Sequence, residues 1–138
     1  MIVIHEIDID LVNPGETQRI HIKQGDVKSR RIDISLLENG KDWSIGASTT
    51  AVIRYCARDL DNLVTNHGLY DTLENGNPAY LVTGNVISIL PIAEMMEKPG
   101  LVTVDVLLVN GDRMVSTFNF EVYVHRCPNG ETQVPAEN

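Results

Sequence analysis

Every second residue is apolar over several stretches of this chain, and that period constrains the fold more than any other feature. Ile7, Ile9 and Leu11 alternate with Glu6, Asp8 and Asp10, and Ile20 and Ile22 with Arg19, His21 and Lys23. Ile32, Ile34 and Leu36 alternate with Arg31, Asp33 and Ser35, and Val102, Val104, Val106 and Leu108 are set around Thr103 and Asp105. The longest run passes through Met114, Ser116, Phe118, Phe120, Val122 and Val124. Successive side chains of a strand point to opposite faces, so each run reads as a half-buried strand. The 15 Val, 13 Ile and 9 Thr agree, because β-branched side chains fit a pleated surface better than a helix. Ala51 to Ala57, Tyr80 to Thr83 and Val86 to Leu90 are shorter candidates.

Turn signals separate the runs. Asn39-Gly40, Asn75-Gly76, Asn110-Gly111 and Asn129-Gly130 tolerate positive φ at low cost. Asn110-Gly111-Asp112 joins the two strongest strands as a hairpin. Asn13-Pro14-Gly15 suits a second, which would set Asp10, Asp8 and Glu6 opposite Arg19, His21 and Lys23. Pro91 at a first helical position, Ile92 to Glu97 and the stop at Pro99-Gly100 predict one short helix. Asp59 to Gly76 has no clear period and reads as a long loop, with at most a short strand at Leu63 to Thr65. The expected fold is an all-β, antiparallel sandwich or barrel with one short helix. Residues 2–126 form one domain, and 127–138 a polar tail expected to be disordered.

At 138 residues the chain is long enough for one real core, and 43 % hydrophobic with 22 % charged residues is ordinary for a soluble protein. The net charge of −8 argues against nucleic acid and anionic membranes as partners, since both need clustered cations. No apolar run reaches a membrane span, and acids rather than bases stand near the N-terminus, so a soluble domain made inside the cell is expected. Cys56 and Cys127 cannot make a disulfide scaffold; Cys56 reads as a small core residue, and both as free thiols.

The search for chemistry returns nothing. There is no phosphate loop and no nucleophile elbow. His5, His21, His67 and His125 share no metal-ligand spacing, so no metal or other cofactor is expected and surface histidines are the simpler reading. Asp59, Asp61 and Asn62 echo a calcium loop, but Leu63 takes the next ligand position and the glycine and final glutamate are missing. Glu6, Asp8 and Asp10 line one face of a strand and read as solvated. Only 5 % of residues are aromatic, which is thin for a stacking platform.

The order of the motifs carries a resemblance. Ile20-His21-Ile22-Lys23-Gln24-Gly25-Asp26, Ser29-Arg30, and the strand ending Leu37-Glu38-Asn39-Gly40-Lys41 resemble the start of the N-terminal domain of phage baseplate upper proteins. The likeness continues through Ala51-Val52-Ile53-Arg54-Tyr55, Tyr70-Asp71-Thr72-Leu73 and Gly84-Asn85-Val86-Ile87-Ser88-Ile89. It closes with Pro99-Gly100 and Ser116-Thr117-Phe118-Asn119-Phe120-Glu121-Val122, covering roughly residues 3–124. It implies an immunoglobulin-like β-sandwich in the tail baseplate of a phage or prophage of Gram-positive bacteria, made in the bacterial cytoplasm. Such a domain anchors its protein to the tail hub. The chain ends at Asn138 without the family's helical stalk, so the expectation is a shorter baseplate component or a domain whose remainder is encoded elsewhere.

The partners implied are other tail and baseplate proteins, with self-association as a further contact. Gln24, Asp26, Arg30, Tyr70 and Asp71 are the polar loop residues that such contacts would use, because buried Tyr and Arg often dominate interfaces. Against this non-enzymatic structural reading stands a carbohydrate- or host-receptor-binding sandwich, which the scarcity of aromatics disfavours. A tail-associated hydrolase would need a nucleophile or carboxylate pair that the sequence does not offer.

Overall fold

The computed structural model describes residues 3–24, 30–46, 48–70, 79–91, 97–110 and 113–126. Among these residues ten strands follow in order: β1 (Val3–Asp10), β2 (Arg19–Lys23), β3 (Arg30–Glu38), β4 (Lys41–Asp42), β5 (Thr49–Asp59), β6 (Val64–Tyr70), β7 (Tyr80–Thr83), β8 (Val86–Ile89), β9 (Gly100–Asn110) and β10 (Arg113–His125). They form two five-stranded sheets. One runs β1-β3-β8-β7 with β4 beside β3; the other runs β2-β10-β9-β5-β6.

The period-two reading locates the core. Ile32, Ile34, Leu36, Ile87 and Ile89 of the first sheet meet Ile20, Ile22, Ile53, Val102, Val104, Val106, Leu108, Phe120, Val122 and Val124 of the second, all buried in one cluster. Both phenylalanines point inward from the same face of β10. Cys56 does not join them. In β5 the inward positions are Ala51, Ile53, Tyr55 and Ala57, so alternation places Cys56 outward, half-buried and free, opposite Thr103 and His67.

Two hairpins stand where the turn signals put them. Asn110 lies opposite Arg113 across the β9–β10 pair. Asn39 (φ 52°) and Gly40 (φ 82°) turn β3 into β4, both with the positive φ that this tight turn requires.

The antiparallel expectation is corrected: each sheet is mixed. β1 runs parallel to β3, and β2 parallel to β10. The hairpin at Asn13-Pro14-Gly15 therefore does not form, because β1 and β2 lie in different sheets and residues 11–18 cross between them. The cause is local. The Asp10 carboxylate accepts N–H bonds from Val12 and Asn13 (both 2.9 Å) and from Asn39 (3.2 Å) and Gly40 (2.8 Å). The end of β1 is thus clasped to the β3–β4 turn, and the Leu11 N–H continues the ladder onto the Leu37 carbonyl at 2.8 Å. The acids of β1 stay on one sheet, while Arg19 of β2 finds Glu121 of β10 instead.

The segment read as a long loop contains β6, paired antiparallel with β5. The echo of a calcium loop before it is a turn: Asp59 accepts the N–H groups of Asp61 (2.9 Å) and Leu63 (3.0 Å). No helix occurs among the described residues. The one expected at Ile92 to Glu97 lies outside them, except for Glu97, which stands in a bend. The tail 127–138, Cys127 included, lies outside them too.

Candidate interaction surface

Of the five polar residues singled out in the sequence, three are described. Gln24 follows β2 and is half-buried; its N–H bonds the His125 carbonyl (2.8 Å) and its side-chain amide donates to the Glu97 carbonyl (2.7 Å). Arg30 opens β3, half-buried, with its guanidinium 3.1 Å from His5 Nε2. Burial first, and the nearby Arg30 charge second, press the His5 pKa below its ordinary value, so His5 accepts from Arg30 as a neutral ring. Tyr70 closes β6 opposite Ile53. Asp26 and Asp71 lie outside the described residues. Gln24 and Arg30 flank residues 25–29, at the end of the molecule where β2 finishes and β3 begins; Tyr70 belongs to the opposite edge of the β2 sheet.

Strand pairing assembles a second group that the linear sequence hides. His21, Tyr123 and His125 share the outward face of the β2–β10 pair. His21 Nδ1 and His125 Nε2 are 2.8 Å apart, and the Tyr123 ring lies 4.7 Å from that of His125 and 5.9 Å from that of His21. One imidazole donates and the other accepts, so the bond requires an unprotonated nitrogen on one ring. The signal was present as an alternating His-x-Lys and Tyr-x-His, but only the parallel register brings them together.

On the outer face of the β1 sheet, Arg31 holds Asp33 through two bonds (2.9 and 3.0 Å). Partial burial opposes ionisation of Asp33, yet the bonds from Arg31 and Ser88 and the Arg31 charge keep its carboxyl below the usual range. The Asn13 N–H, followed by those of Val12, Gly40 and Asn39, outweighs desolvation and holds Asp10 at about 2. The reading of Asp10 as one more solvated acid thus misses its place in the fold. A cleft of about 300 Å³ lies between the crossover and β10, floored by Ile9, Leu11 and Phe118 and rimmed by Asp10, Glu16 and Thr117.

The most exposed apolar side chains of the strands lie on the other side. Leu63, Val64 and Leu69 of the β6 segment are 65 %, 47 % and 67 % exposed, and Leu81 of β7 is 67 % exposed. The Ala51 N–H donates to the Tyr80 hydroxyl at 3.2 Å, which brings β7 to the β6 side of the sandwich. Among the described residues no three His, Cys, Asp or Glu side chains are grouped to hold a metal.

No curated protein matches this sequence. Among solved structures, the N-terminal domain of phage TP901-1 ORF48 is similar, at 14 % identity and a TM-score of 0.52, over 88 % of this chain and 97 % of that one. At that identity the likeness concerns the fold. The family model of the BppU N-terminal domain matches residues 3–126, two residues beyond the stretch over which the motif order carried its resemblance. By that match, the chain belongs to the family of BppU N-terminal domains.

Proposed function

We propose that this domain is a non-enzymatic structural component of a phage or prophage tail baseplate, anchored by protein–protein contacts to the tail hub. The family match over residues 3–126 carries the reading, and the similarity to a phage protein domain supports the fold it needs. An immunoglobulin-like class for the sandwich, and residence in the virion tail, belong to the same proposal. The only tryptophan, Trp43, packs against the core rather than standing out as a sugar platform, which favours a packing module over a carbohydrate binder. Asp26, Tyr70 and Asp71 are the proposed contact residues, with Gln24 and Arg30 holding the shape of their end of the molecule. The test is binding of the purified protein to each tail protein of its own genome across a salt series. Saturable binding to a hub protein, weakening as salt rises, is expected of an acidic anchor on a basic hub. Binding to none of them at any ionic strength overturns the reading.

A further inference from the structure

Natural sheets blunt their edges with charge, proline or shortness. Among the described residues five strands have a single neighbour: β1, β7, β2, β6 and the two-residue β4. β1 carries Glu6, Asp8 and Asp10; β2 carries Arg19 and Lys23; β7 is four residues long. β6 has seven residues, Val64-Thr65-Asn66-His67-Gly68-Leu69-Tyr70, with neither Asp, Glu, Lys, Arg nor Pro. Its outward Leu69 is two-thirds exposed. Arg54 and Arg58 stand beside it on β5, opposite Leu69 and Val64.

The complement of this edge is on the same chain. We propose that β6 of one copy pairs antiparallel with β1 of the next, in the register that sets Leu69 against Ile4 and His67 against Glu6. Three observations converge on it. The first is length: seven residues against eight. The second is side-chain chemistry. The even residues Ile4, Glu6 and Asp8 point outward from β1, and Ile4 is 44 % exposed. In this register an exposed isoleucine meets an exposed leucine. The Glu6 and Asp8 carboxylates come toward His67, Arg54 and Arg58.

The third is the direction of the backbone groups. The Leu11 N–H goes to β3, and along a strand in a parallel pair alternate residues address opposite sides, so Ile4 and Glu6 turn theirs to the free edge. The His67 N–H is bonded to Asn66 Oδ1 (2.9 Å) rather than to β5, so His67 and, two residues on, Leu69 also face outward. The residues whose side chains match are therefore those whose backbone faces the edge, with the His67 N–H exchanging its bond to Asn66 Oδ1 for one to the incoming strand. The alternatives are worse: β1 on β1 confronts acids with acids, and β2 on β2 confronts bases with bases. A contact between two different surfaces is heterologous, and it propagates or closes into a ring.

The contact does not involve the hub, so hub binding and self-pairing succeed or fail separately. Sedimentation velocity of the purified protein from micromolar to millimolar concentration, at physiological salt, measures it. Concentration-dependent association is expected. Glu6→Lys and His67→Glu, both at exposed positions, should each weaken it at least tenfold, and combining them in one chain should restore it because a base and an acid again stand opposite each other. Leu69→Thr, which alters no charge and suits a strand, should weaken it as well. A wild-type protein that is monomeric throughout, a Glu6→Lys variant that associates like wild type, or a double variant no better than the single ones overturns the proposal.

Discussion

Asp10 illustrates how little a residue's type reveals of its work. In the sequence it is one of three alternating acids; in the fold its two oxygens collect four backbone N–H groups and join the end of β1 to the β3–β4 turn. Its folded pKa of about 2 lies below the value near 4 of an unfolded chain. The unfolded state then binds more protons between those values, so the contribution is whole above about pH 4 and is lost as pH falls toward 2. Asp10→Asn should flatten the stability profile in that window, measured by urea unfolding at a series of pH values. Gly100 is a second such residue. Its φ is 146°, and a Cβ there would run into the Arg58 carbonyl. Gly100→Ala should lose about 3 kcal/mol or more, from overpacking and strain together, read as a lowered urea midpoint.

Among the elements, those with a clean alternation were legible and those defined by their neighbours were not. β10 and β9 could be drawn from Phe118, Phe120, Val122, Val124 and their partners, because one face is wholly buried and the other wet. Truncating Phe120, fully buried in the middle of its sheet, to Ala should cost about 3–5 kcal/mol in thermal or urea unfolding. β6 escaped because its apolar Val64 and Leu69 are exposed while its half-buried positions are Asn66 and Gly68, so no apolar period marks it. The parallel pairs escaped for another reason. Alternation says which face is buried but nothing of which strand lies alongside, and four hydrogen bonds to Asp10 outweighed a plausible turn at Asn13-Pro14-Gly15. The histidine and tyrosine group on β2 and β10 was invisible for the same reason, since it exists only in that register.

For the whole molecule, the proposed baseplate role puts the weight on the sheet edges and outer faces of the sandwich. Purification in strong chelator should leave its melting temperature unchanged, as a sandwich held by one apolar core expects; a drop of several degrees would reveal a metal in that core's support. The parallel joining of β2 to β10 has a further consequence, in time rather than space. Arg19 and Glu121, which face each other across that pair, are 102 positions apart. A ribosome adding about 5–20 residues per second needs roughly 5–20 s to cover that interval. Throughout it the second strand of the nascent chain has no partner, and its sheet lacks the strand that links it to the rest. Protease added to chains arrested before residue 121 emerges should cut near Ile20 to Lys23, and the same site should become protected within moments of release.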